Sequence, residues 1–153
     1  MAVAACQSLV VEMTALLRKK GKNVRIRIHP STGLKPAELD ELLAGAGTLY
    51  DIVQDIEELN NDFPDTDLSL VIGANDIINP TAQDNPDPFC ESMPVFKVWK
   101  SSQSVVMKRT LGVGAAAFDN PIFYYKNNAM LFGSAMWSCK GILDELKKHY
   151  GVD

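Results

Sequence analysis

Two short clusters carry residue types from which chemistry can be built. The first, Gly73-Ala74-Asn75-Asp76, follows directly on the apolar run Leu68 to Ile72. Gly73 and Ala74 let a ligand approach the backbone, Asn75 offers both a donor and an acceptor, and Asp76 brings a carboxylate that a buried environment can tune. The second, Lys108-Arg109, ends the apolar run that starts at Ser104. A planar guanidinium beside a compact ammonium suits a phosphate monoester, and in a dinucleotide site such a pair favours the 2′-phosphate of NADP over the free hydroxyl of NAD. Taken alone, each cluster also has an ordinary explanation, a turn closing a strand in one case and a charged strand end in the other.

The elements that must position these clusters are those of an α/β chain. Leu68 to Ile72 reads as a strand ending in a ligand loop, and in open α/β sheets nucleotides bind beyond the carboxyl ends of the strands. Residues 1 to 20 place Val3, Cys6, Leu9, Val10, Met13, Leu16 and Leu17 at helical spacing, with Arg18, Lys19 and Lys20 at the negative end of the dipole and Gly21 as the stop. Asn23 to Ile28 alternates apolar and basic residues, which predicts a strand leading into the turn-rich His29-Pro30-Ser31-Thr32-Gly33. Pro36 opens a predicted helix that ends at Gly45 and Gly47, Tyr50 to Val53 is a short strand candidate, and the acidic segment through Asp67 reads as a loop with a broken helical turn. Asn79 to Pro88, with three prolines, is expected to hold no regular structure. Pro94 to Trp99 and Ser104 to Thr110 are predicted strands, Leu111 to Ala117 a glycine-containing flap, and Phe123 to Phe132 mixes aromatics with a short apolar stretch. Ser134 caps a closing helix whose Met136, Cys139, Leu143 and Leu146 face inward, ending at Gly151. Alternation of strands and helices predicts a mostly parallel sheet.

Composition narrows the function. The 153 residues, nearly half of them apolar, suffice for one domain with its own core, 1 to 153, and hold no apolar run near the roughly 20 residues that span a bilayer. Cys6, Cys90 and Cys139 are odd in number and scattered, and with only His29 and His149 as imidazoles neither a disulfide framework nor a metal site is expected. The net charge is −4, unevenly spread: no Lys or Arg stands between Pro36 and Phe96, while Arg18 to Arg27 and Lys97 to Arg109 are basic. That surface is too narrow for DNA, and no nucleic-acid partner is expected. A leader peptide is not expected either, since the positive charge follows the first apolar stretch and Glu12 interrupts it.

Taken in order, His29-Pro30, Tyr50-Asp51-Ile52-Val53, Asn61 to Asp76, Asn79 to Pro86, Met93 to Lys100, Lys108-Arg109, Asn120-Pro121 and Met130 to Gly133 make the chain similar, nearly end to end, to the NADP(H)-binding domain III of the proton-translocating NAD(P) transhydrogenases. The resemblance implies a six-stranded, Rossmann-like three-layer sandwich holding NADP(H) in reversed orientation. It also implies partners in the same enzyme: a soluble domain presenting NAD(H), with direct hydride transfer between the nicotinamides, and a membrane domain coupling this to proton movement. The parent enzyme is then membrane-anchored, in a bacterial cytoplasmic or organellar inner membrane, and homodimeric, while this domain does not itself enter the bilayer. By position, Gly73, Ala74, Asn75, Asp76 and Asn79 line the nicotinamide and ribose end, His29, Gly33, Leu34, Lys35 and Pro36 approach the pyrophosphate with Val3, Ala4 and Gln7 of the first helix, and Lys108 and Arg109 hold the 2′-phosphate. The flap around Gly114 covers the nucleotide, and Asp76 matches the carboxylate that links protonation to NADP(H) binding.

Three departures from the family pattern stand out. The family's first helix follows a strand and a glycine-rich turn, so the chain, which starts at Met1-Ala2-Val3-Ala4, is expected to be incomplete on that side and to lack the central strand and the turn's backbone donors. The family arginine after the His-Pro motif is Leu34, with Lys35 beside it as an imperfect substitute, and a flap tyrosine is replaced by Ala115. The alternative reading is a stand-alone nucleotide-binding or regulatory module without catalysis. A weaker third is a flavodoxin-like domain using Gly73 to Asp76 for another phosphate ligand.

Overall fold

The computed structural model describes residues 2–29, 56–83 and 94–152. They belong to two compact units, one spanning Met1–Gln54 with Ala135–Asp153, the other Asp55–Ser134.

In the first unit, helix α1 (Ala2–Lys19) packs on the closing helix, Ala135–Tyr150. Cys6, Met13 and Leu16 are buried on α1, Cys139 and Leu143 on the closing helix, so the predicted apolar stripes are the contact faces. Met136, expected to face inward, is instead 42% exposed, because it stands in the first turn, before the buried stripe begins. Both helices end as Gly21 and Gly151 lead one to expect. Each glycine is left-handed, with φ of 77° and 62°; the pairs Gly21 N to Arg18 O with Lys22 N to Leu17 O, and Gly151 N to Lys148 O with Val152 N to Lys147 O, return the last carbonyls to the chain. Glu12 and Lys147 join the helices at 2.7 Å, and Glu12 pushes the Lys147 ammonium up through its hydrogen bond and its charge.

The second unit is built on an all-parallel, three-stranded sheet: β1 (Leu68–Ile72), β2 (Gln103–Lys108) and β3 (Asn128–Phe132), in that order. Leu68 pairs with Gln103 and Ile72 with Met107, while Ser104 pairs with Asn128 and Lys108 with Phe132. All three carboxyl ends therefore lie along one edge, which is what brings the two clusters together. One core gathers Val71 and Val106 of the sheet with Leu59, Phe63, Ile78, Phe96, Val98, Ile122 and Phe123. A parallel open sheet with helices is the α/β, Rossmann-like class that the alternating elements imply.

Several sequence expectations need correction. Residues 22–29 carry no regular element, so the alternating Asn23 to Ile28 is not a strand; none of the three described strands pairs with it, and alternation alone satisfies no backbone group. Pro94 to Trp99 is not a strand either. Its backbone is taken up elsewhere: Asn60 Nδ2 donates to Val95 O, Lys97 N donates to Asn60 Oδ1 and Phe96 N to Ile77 O, after which Val98–Lys100 forms a 3-10 turn. The acidic segment holds more helix than expected, α2 (Ile56–Asp62) followed by the 3-10 turn Phe63–Asp65, with Leu59 and Phe63 buried. The proline-rich stretch does contain one helical turn, α3 (Pro80–Gln83), because Asn79 Oδ1 accepts from Thr81 N and proline suits a first helical position. The closing helix, α4, begins directly after Ser134. The predicted strand at Tyr50 and helix from Pro36 lie outside the described residues.

Candidate functional site

The Gly73 to Asp76 loop leaves β1 through a left-handed Gly73, φ 70°, whose N–H still reaches Met107 O of β2 at 3.4 Å. Only glycine takes that conformation without strain. Asn75 has φ −139° and ψ −78°, and its carbonyl accepts from Ile78 N at 3.1 Å and from Asn120 Nδ2 at 3.0 Å. Asp76–Ile78 then forms a 3-10 turn pinned by Ile78 and Asn79, both essentially fully buried. Asn79 spends its side chain inside the protein: Nδ2 donates to Asp119 O at 3.2 Å and Oδ1 accepts from Thr81 N at 3.0 Å.

The flap folds onto this loop. Ala116 N donates to Asp76 Oδ2 at 3.1 Å, and Gly114 lies so close to the Asp76 carboxylate and Asn75 Nδ2 that a Cβ on it would overlap them. Asp76 Oδ1 and both polar atoms of the Asn75 side chain are buried without a hydrogen-bond partner. Burying such a group unpaired costs about 1–3 kcal/mol, so three together mark a place where partners belong. Lys108, ending β2, donates from Nζ to Gly112 O at 2.8 Å and lies 4.6 Å from the centre of the Phe123 ring. Burial holds its pKa below the usual lysine range, and the Asp76 charge offsets part of that shift. The neighbouring Arg109 is exposed.

Asn75, Asp76, Lys108 and Gly114 are thus brought together, with Gly73 turning the chain out of β1 and Ala74 packed against the core. Val3, Ala4 and Gln7 on α1, and the buried His29, belong to the first unit, while Gly33, Leu34, Lys35 and Pro36 lie outside the described residues. Three contributors went unnamed as site residues. Asn120, 3% exposed, ties Asn75 and also accepts from Ile122 N at 3.2 Å; Phe123 backs Lys108; and Ala116 acts only through its backbone. The Asn120-Pro121 dipeptide, a turn signal, was the available pointer to the first. Among the described residues no group of three or more His, Cys, Asp or Glu is placed to hold a metal ion, and no helix is long and apolar enough to cross a membrane.

Residues 1–145 match the family described as NAD(P) transhydrogenase beta subunit. Two curated relatives, both NAD(P) transhydrogenase subunit beta and both from Rhodospirillum rubrum, one of them from a designated strain, are each 40% identical over 135 residues. Those residues make up 88% of this chain and only 29% of each relative, so the chain spans under a third of their length. A match over almost the whole chain places it in the NAD(P) transhydrogenase beta subunit family.

Proposed function

We propose that the cluster at the carboxyl ends of β1 and β2 binds NADP(H), and that the chain is the NADP(H)-binding part of a transhydrogenase exchanging hydride between NAD(H) and NADP(H). The observation that supports this reading is the set of orphaned buried atoms on Asn75 and Asp76, near Lys108 and against Gly114 of the flap. The residues present fit a nucleotide: glycines permit close approach, open donors and acceptors await polar edges, and Lys108 with Arg109 offers two cations for a 2′-phosphate. When bound, the nicotinamide supplies the hydride chemistry. The chain itself orients and covers: Asn75 and Asp76 face the ligand, the Gly114 flap excludes water, and Asp76 is the carboxylate through which protonation and binding are linked. In the whole enzyme the partners are an NAD(H)-binding domain and a membrane domain that couples the exchange to proton movement; the enzyme is a homodimer anchored in a membrane, with this part outside the bilayer.

The test is nucleotide selectivity. Arg109→Ala should weaken NADP binding by about 1.5–3 kcal/mol, the range for a hydrogen bond to a charged group, with the exposed position of Arg109 favouring the lower end, and leave NAD binding little changed. Equal losses for the two nucleotides in a calorimetric titration would sink the assignment.

A further inference from the structure

Cys6 and Cys139 stand near opposite ends of the sequence, and within the first unit the fold brings them together. Three contacts tie α1 and the residue that follows it to α4. The two thiols hydrogen-bond to each other, Lys147 Nζ meets Glu12 Oε1 at 2.7 Å, and Lys20 Nζ donates to Tyr150 O at 3.5 Å. Each contact lies further along both helices than the one before, so α1 and α4 run side by side in the same direction, with their register held along its length. Cys6 and Cys139 are both reduced and both 0% exposed, so each sulfur belongs to the seam between the helices. Helices packed about 8–10 Å apart, each with its Cα atoms about 2.3 Å from the axis, bring facing Cα atoms to roughly 3.5–5.5 Å, which overlaps the span of a disulfide. We propose that Cys6 and Cys139 are a redox pair, a modification site at which a small-molecule disulfide oxidises them to a bond that staples α1 to α4.

The step is thiol–disulfide exchange. One cysteine, as its thiolate, attacks a sulfur of the small disulfide and expels one small thiolate; the other cysteine then attacks the protein sulfur of the mixed disulfide and expels the second. The two protein sulfurs lose two electrons, the small disulfide gains them, and the two protons given up by the cysteines end on the two released thiols. Burial pushes both thiols up, Cys139 to about 12, so thiolates are scarce at neutral pH and the seam must open before the reagent reaches them. Once one cysteine has reacted, its neighbour across the seam is already in place, which favours closure over a second small adduct. The pair is therefore a slow, durable latch and not a fast sensor. The bond closes a loop over nearly the whole chain, and such a long cross-link stabilises the fold by restraining the unfolded chain. Nothing in this inference depends on the nucleotide reading.

The experiment is incubation of the full chain with oxidised glutathione, once folded and once during refolding from urea so that burial cannot hide the thiols, followed by non-reducing digestion and mass mapping. Both arms should give a peptide containing Cys6 joined to one containing Cys139, lighter than the two together by a pair of hydrogen atoms. The melting temperature should rise by about 5 °C or more on oxidation and return with dithiothreitol. In Cys6→Ser the oxidant should no longer raise it. If that variant melts too early to compare, the map of the unaltered chain decides alone. Glutathione retained on either cysteine, links to Cys90 or between chains in place of the Cys6 to Cys139 bond, or both thiols unreacted after refolding would each overturn the pair. A bond that forms only during refolding would overturn its assignment as a site of the folded protein.

Discussion

Gly114→Ala is the sharpest test of the flap. The new Cβ would occupy space held by the Asp76 carboxylate and Asn75 Nδ2, and since Asp76 sits on a 3-10 turn pinned by the buried Ile78 and Asn79, the flap is the part that gives way. Displacing it breaks the Ala116 N–H bond to Asp76 Oδ2, a charge-assisted bond worth about 1.5–3 kcal/mol. Two effects limit the loss. Alanine restrains the unfolded chain, returning about 0.4–1 kcal/mol to global stability, and opening rehydrates the orphaned atoms of Asn75 and Asp76, so the closed flap is held by only a few kcal/mol in total. The expected result is therefore local. Amide hydrogen exchange at Ala116 should speed up by about 10- to 100-fold, while the melting temperature changes little. Gly141 on α4 supplies the comparison: a methyl group there would meet nothing within 4 Å, so Gly141→Ala should stabilise by about 0.5–1 kcal/mol and leave flap exchange alone. Unchanged exchange at Ala116 in Gly114→Ala would refute the packing of the flap against Asp76.

Two further outcomes follow from other parts of the structure. The Cys6 and Cys139 thiols hydrogen-bond to each other in the buried α1–α4 contact, and burial pushes both up, Cys139 from 9.0 to about 12. Unfolded thiols ionise first as pH rises, so the stabilising effect is complete below pH 9 and falls away between 9.0 and about 12; urea midpoints should drop across that window, and a flat profile would contradict it. Asn120→Ala should cost about 2 kcal/mol in urea unfolding, because it strands the Ile122 N–H and frees the Asn75 carbonyl, whereas Asn120→Asp, which keeps the acceptor, should cost less; equal costs would mean that the bond to Ile122 N contributes nothing.

Much of the fold was legible where one element satisfies itself. The helices α1 and α4 could be read from apolar spacing and glycine stops because all they need is one partner face. Strand β1 was legible from its short apolar run bounded by Gly73, and β2 from the run Ser104 to Thr110, although the strand itself spans Gln103–Lys108. Asn23 to Ile28 and Pro94 to Trp99 misled because a strand is a property of a pair. Their residue types suit a ladder, yet the groups of the second are claimed by Asn60 and Ile77, which no local pattern announces. Likewise α2 was obscured by its acidic composition, although its one deeply buried side chain, Leu59, is enough to anchor it.

The site divides along a similar line. Gly73, Asn75, Asp76 and Lys108 were legible because their side-chain types, or the lack of one, are what a ligand would meet. The groups that hold them are mostly backbone: Ala116 N on Asp76, Gly112 O on Lys108, Met107 O on the Gly73 amide. A main-chain donor has no residue-type signature, so its partner can be found only once the flap is placed. Unsatisfied atoms are harder still to foresee, since Asn75 and Asp76 are hydrogen-bonded to water in any exposed loop and become orphans only when Gly114 settles over them. That is why the loop could be read as a candidate ligand loop from the sequence, whereas which of its donors and acceptors stay open can be counted only in the folded chain.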